Sequence, residues 1–219
     1  MTSIVITEKP SQAGDVMKAV GGRYGEIIPA QGHVMRLAEP DEVDPAWTRW
    51  STALLLPAAG RYPLREDPSN GKGARLAKLK PALRAAETIY CSTDCDREGT
   101  LIAGNLVNSF SRPSARVLRV VFTAQDPTTL RKAFAEARPW SDFANEMAAG
   151  EARSQADQIY NLTLTRAATV LLRQPGAKGA IGIGRVKTPT LAIVCKRELE
   201  IEAFQARDYF EVVAQATVA

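Results

Sequence analysis

The 219-residue chain holds one histidine, His33, and three cysteines, Cys91, Cys95 and Cys195. That scarcity excludes several chemistries. A structural zinc site needs four Cys or His ligands, and the Cys91/Cys95 spacing has no second pair to complete one. A disulfide framework is equally unexpected. A Ser-His-Asp or Cys-His mechanism would have to be built on His33, which stands in a Gly-His-Val context without a nucleophile motif. Catalysis is therefore expected from carboxylates and lysine. No apolar run approaches the ~20 residues of a membrane span, so no membrane partner is expected. The first ten residues lack the basic region and apolar stretch of a secretory signal, and a cytoplasmic location follows as the expectation. No G-x-x-x-x-G-K-[ST] loop occurs, and Asn70-Gly71-Lys72-Gly73 is too short to be one, so no nucleotide cofactor is expected.

What is present fits a globular protein. Hydrophobic residues make up 45% and charged residues 24%, with a net charge of +4, enough apolar material for a core under a mildly basic surface. The length allows one large domain, or a medium one with a smaller companion.

Ile4-Val5-Ile6 reads as a strand, followed by Glu8-Lys9-Pro10-Ser11 and a helix in which Ala13, Val16, Met17 and Val20 share a face until Gly21-Gly22. Over residues 23–64, Ile27-Ile28, His33-Val34-Met35 and Leu54-Leu55-Leu56 read as short strands and loops between glycine and proline. Residues 60–84 form a basic, turn-rich loop leading into a helix. Thr88–Thr93 is a further strand, then Asp94-Cys95-Asp96-Arg97-Glu98-Gly99 precedes a helix carrying Leu101, Ile102, Leu106 and Val107. Val117–Phe122 is another strand, and Asp126-Pro127 starts another helix. Strands alternating with helices predict an α/β fold with a mostly parallel sheet. Residues 145–173 read as one long helix, which sets a domain boundary near 143. Gly176–Gly184 is a glycine-rich hinge, Thr188-Pro189 caps a helix to about Ile201, and Tyr209–Val218 alternates as a strand.

Two places carry chemistry. Asp94, Asp96 and Glu98 alternate after a strand, and in extended geometry they project to one side. Such a cluster is either a solvated acidic turn or a site for a hard cation such as Mg²⁺. Its place at the carboxyl end of a strand, shared with Glu8, favours the cation. Glu8-Lys9 is either an exposed pair at a helix start or an acid/base group with a cation that neutralises a phosphoryl oxygen. Residues 153–187 carry a local charge of +5, suited to a phosphate backbone or to a solvated basic face.

Taken together, Glu8-Lys9-Pro10-Ser11-Gln12-Ala13, Gly32-His33-Val34, Asp94-Cys95-Asp96-Arg97-Glu98-Gly99 and Gly184-Arg185-Val186-Lys187-Thr188-Pro189-Thr190-Leu191 resemble the type IA DNA topoisomerases, in particular the topoisomerase III branch. The likeness spans nearly the whole chain. It implies a Toprim domain, Rossmann-like with flanking helices, over 1–143. Residues 144–219 would then begin a mainly helical domain lining the single-stranded DNA groove, incomplete at its C-terminal end. The resemblance implies Asp94, Asp96 and Glu98 as Mg²⁺ ligands, Glu8 as acid/base, Lys9 on the scissile phosphate, and Arg153, Asp157, Arg185 and Lys187 on DNA. Arg97 would be an active-site neighbour, and His33 either another or a hydrogen-bonded structural histidine. Lys187, Ser154 and Thr100 depart from residues common in the family.

The family's nucleophilic tyrosine lies in a Tyr-Pro-Arg-Thr-like context that none of Tyr24, Tyr62, Tyr90, Tyr160 and Tyr209 has. The resemblance therefore implies an enzyme segment, inactive alone in strand cleavage, from an ATP-independent transesterase that is monomeric when complete. Two other readings stand beside it: a Mg²⁺-dependent Toprim nuclease or primase, and a non-catalytic single-strand DNA-binding module. The Gly184–Leu191 element weighs against the first of these, and the acidic cluster against the second.

Overall fold

A computed structural model describes residues 2–54 and 57–217; Leu55 and Leu56 of the apolar run, and Val218 of the expected last strand, lie outside them. Ser3–Thr7 forms β1, buried from Ile4 onward. A strand covered on both faces reads as a continuous apolar run, as in a central parallel strand. It pairs in parallel with β2 (Glu26–Pro29) on one side and β5 (Thr88–Ser92) on the other, and β5 pairs in parallel with β6 (Arg116–Arg119). A two-residue antiparallel strand, β7 (Arg138–Pro139), closes the order β2-β1-β5-β6-β7.

Alternation along the strands sorts side chains to two faces. Ile4, Ile6, Ile28 and Ile89 pack against α3 (Lys72–Ala85) and α4 (Arg97–Phe110) through Leu76, Leu79, Leu83, Ile102 and Leu106. Val5 and Val120 turn the other way, toward α1 (Pro10–Val20) and α5 (Pro127–Ala135), where Val16, Leu130 and Phe134 cover them. This is the expected α/β sandwich with helices on both faces. A hairpin of β3 (Met35–Leu37) and β4 (Leu64–Glu66) stands apart from the main sheet, and a single helical turn, α2, spans Pro40–Val43.

The long helix arrives as expected, α6 over Ala144–Leu172. Gly150 seats it against α4: a β-carbon there would lie 2.7 Å from the Arg97 carbonyl and 3.2 Å from Leu101 Cβ. Polar side chains of α6 also hold the coil between β3 and β4. Gln155 exchanges two 2.8 Å hydrogen bonds with the Tyr62 backbone, and Gln158 donates to the Ala38 carbonyl at 2.9 Å. Arg166 donates to the Trp47 and Arg49 carbonyls between the rings of Trp47 and Trp50, 4.8 and 4.9 Å from their centroids.

Four expectations change. In α1, Met17 is 51% exposed, and Gln12, Val16 and Ala19 form the buried stripe. The helix α4 starts at Arg97, so Glu98 lies in its first turn and the three carboxylates do not share one extended segment. The last helix, α7, spans Lys187–Glu202; its Thr188 is inside it, accepting from the Gly184 N–H at 3.1 Å. Residues 209–217 form no strand, and Phe210 is 95% exposed: alternation without an edge to pair with does not make a sheet.

Candidate functional site

Two turns meet at the carboxyl ends of β1 and β5. Glu8 and Lys9 join β1 to α1, with Pro10 opening the helix where its missing N–H costs nothing. Asp94 to Asp96 join β5 to α4. Asp96 caps that helix by accepting from the Gly99 N–H at 2.7 Å. Only glycine fits at 99, because a β-carbon would collide with the Asp94 backbone.

The acidic turn is braced from below by Arg119, which is 1% exposed. Its guanidinium donates to the Cys91 carbonyl at 3.2 Å, to the Thr93 carbonyl and hydroxyl at 3.0 and 2.8 Å, and to the Asp94 carbonyl. A planar fork with five donors suits a cluster of convergent carbonyls in a way that lysine does not. Thr93 adds a 2.7 Å bond to the Gly99 carbonyl.

Across the sheet end, Lys9 Nζ donates to Asp94 Oδ2 at 2.7 Å and lies 3.8 Å from Glu8 Oε1. The bond to Asp94 raises the proton affinity of Lys9 and keeps it charged. Glu8 is held above the ordinary carboxylate range, first by burial and then by the negative charge of Asp94, with Lys9 opposing. A carboxyl with raised proton affinity beside a cation is equipped to hold or release a proton next to an anionic group.

Glu98 faces the other way, its carboxylate 3.6 Å from His33 Nε2. Both line a groove of about 350 Å³ with Arg97, Arg153, Asp157 and Asn161, between α4 and α6. Past His33, Leu101 and Ser154 it continues into a second hollow of about 470 Å³ that reaches Arg61 and Asn105. Arg185 reaches Asp157 from the start of α7 with bonds of 2.7 and 3.3 Å, and Arg153 Nε lies 3.7 Å from the same carboxylate. The Arg185 bond holds Asp157 below the ordinary range. Lys187 is exposed and folds back over Gly182, off the groove.

The expected site residues thus form two groups: Glu8, Lys9, Asp94 and Asp96 at the strand ends, and His33, Arg97, Glu98, Arg153, Asp157 and Arg185 along the groove. Among the described residues, no three His, Cys, Asp or Glu side chains converge as placed on one metal position. Asp94 is turned to Lys9 and Gln12, Asp96 to a backbone N–H, and Glu98 to His33. In kind the donors fit a hard divalent ion, since all are carboxylates.

Sequence reasoning missed Gln12, Arg119 and Asn161. Gln12 sits three residues into α1, the position from which Glu or Gln reaches back to a helix start, but Lys9 rather than Ser or Thr precedes it and hides the pattern. Arg119 reads as one more charged residue on a strand. Asn161 lines the groove with a buried Oδ1 that accepts no hydrogen bond from the described residues.

A polar cluster outside the carboxyl ends of neighbouring parallel strands, flanked by a groove with arginines, places the chain in the class of doubly wound α/β proteins with a site at the strand ends. Residues 3–124 match the Toprim domain, and residues 141–219 match the DNA topoisomerase family. The chain belongs to the Toprim family and corresponds to an N-terminal segment of a type IA DNA topoisomerase. It is 33% identical over 213 residues to DNA topoisomerase 3 of Salmonella typhimurium, covering 95% of this chain and 32% of that protein. It is 32% identical to DNA topoisomerase 3 of Haemophilus influenzae, with the same coverage. The chain therefore spans about a third of the length of the curated relatives it matches. The full-length topoisomerase I structure from Thermotoga maritima superposes with a TM-score of 0.59 at 24% identity, over 92% of this chain and 31% of that one, which supports the fold.

Proposed function

We propose that this chain is the cation-binding and single-stranded-DNA-gripping segment of a type IA DNA topoisomerase that cuts and rejoins one strand without ATP. In this reading residues 1–143 are the Toprim domain and 144–219 begin the helical domain of the DNA groove. The observation that carries it is the joining of the Glu8-Lys9 turn to the Asp94 turn by the 2.7 Å Lys9–Asp94 bond, at the open end of the parallel sheet and beside the arginine-lined groove.

The chemistry follows from those groups. A tyrosine outside this chain releases its phenolic proton to solvent and attacks phosphorus, the tyrosyl O–P bond forms, and the bond from phosphorus to the 3′ oxygen breaks. Glu8, with its raised proton affinity, gives the proton to the departing 3′ oxygen and takes it back on rejoining. Lys9 neutralises charge on the phosphoryl oxygens. Asp94, Asp96 and Glu98 would hold Mg²⁺, which when bound neutralises phosphate charge at the strand ends. Arg153 and Arg185, oriented by Asp157, grip the backbone along the groove, and Lys187, beside Gly182 and off the groove, meets the backbone beyond it. His33 and Arg97 line the groove beside Glu98.

Fluorescence anisotropy with a labelled single-stranded oligonucleotide, in Mg²⁺ and in EDTA, tests the reading. Binding is expected to tighten with Mg²⁺, and Asp94→Ala is expected to abolish that gain. Equal binding in both conditions would favour a bare DNA-binding module. A covalent protein-DNA adduct after denaturation would place the nucleophile within this chain and remove the division of labour proposed above.

A further inference from the structure

The chemistry above uses Glu8, Lys9 and Asp94 but not the side chain that joins them. Gln12 is 2% exposed, a buried amide in the first turn of α1. Its Oε1 accepts from the backbone N–H of Glu8 at 2.9 Å and of Lys9 at 3.1 Å. Because both donors are backbone N–H groups, the amide has one orientation, and its Nε2 donates to Asp94 Oδ1. The other oxygen, Oδ2, is held by Lys9. The two restraints differ in kind. Lys9 has a side chain 54% exposed and can swing to water or phosphate. Gln12 is enclosed and anchored at three points. A cation reaching Asp94 would displace the exposed Lys9 from Oδ2 more readily than the enclosed Gln12 from Oδ1.

We propose that Gln12 is a positioning residue that sets cation selectivity: by retaining Oδ1, it restricts Asp94 to offering one oxygen to a metal. Mg²⁺ requires near-octahedral geometry and is satisfied by single carboxylate oxygens with waters. Ca²⁺ takes six to eight oxygens and readily uses both of one carboxylate. A locked, one-oxygen Asp94 thus favours the smaller ion. The inference rests on the reading of Asp94 as a cation ligand.

The test is calorimetric titration of the chain with Mg²⁺ and, separately, Ca²⁺, for the parent, Gln12→Met and Gln12→Glu. Gln12→Met keeps the length and removes every hydrogen bond. Gln12→Glu keeps the acceptors for Glu8 and Lys9, so the turn stays capped and this variant decides the matter if Gln12→Met unfolds. Both are expected to raise the ratio of Ca²⁺ to Mg²⁺ affinity by about tenfold or more. A merely structural glutamine would weaken both ions alike, and an unmoved ratio in a parent that binds them overturns the inference alone. A parent that binds neither ion overturns the cation reading of the site, and this inference with it.

Discussion

The surroundings of Glu8 disfavour its charged form. Burial and the charge of Asp94 raise its proton affinity, so the folded chain binds that proton more tightly than the unfolded chain does. Folding stability must then fall as pH rises through the ordinary glutamate range near 4.5. Glu8→Gln removes this liability. Its melting temperature is expected to exceed the parent's at pH 7, with the difference shrinking as pH falls toward 4.5 and gone below it; a variant less stable than the parent at pH 7 would mean that the carboxylate is satisfied where it stands. Stability sacrificed at a site is the common signature of chemistry. Glu8, Lys9 and Asp94 were legible in the sequence because each closes an apolar run at a sheet end. Gln12 and Arg119 were not, since their meaning lies in partners 82 and 25 to 28 residues away.

The elements that were legible are those whose pattern is local. The central strands β1 and β5 announce themselves as short apolar runs, and α5 by an aspartate cap followed by proline, with Asp126 accepting from the N–H groups of Thr128 and Thr129. The β3–β4 hairpin was harder to read, because it joins three-residue strands across a long coil held by α6. Its strength is borrowed from that contact. The α4–α6 seam is what makes the groove, and Gly150 sets its closeness. Gly150→Ala would drive a methyl group into the Arg97 carbonyl and force the helices apart. A loss of about 1–3 kcal/mol is expected in urea unfolding, the usual cost of overpacking. Gly22→Ala, with open space around its β-carbon, serves as the control. Equal stability of the two variants would show that α6 shifts freely over α4.

At the scale of the whole molecule, packing is uneven. The sheet is covered on both faces, and α6 is tied to the segment around the β3–β4 hairpin by Gln155, Gln158 and Arg166, contacts that cross the boundary expected near 143. Nothing in a sequence marks a side chain that bonds to a distant carbonyl. Beyond Gly184 the balance reverses: α7 has no buried residue among those described, and Ile193 is 71% exposed. A 16-residue helix without tertiary packing is marginal in water, since nucleation is costly and propagation adds little per residue. Amide hydrogen exchange on dilute protein should therefore divide the chain. Amides of β1, β5 and the 150–166 stretch of α6 should be protected together, while those of 190–217 should exchange near the rate of an unfolded chain. Protection of α7 that grows with protein concentration would show copies covering one another's apolar side chains. Protection independent of concentration would mean that Leu191, Ile193 and Leu199 pack within a single molecule, against the exposure described above.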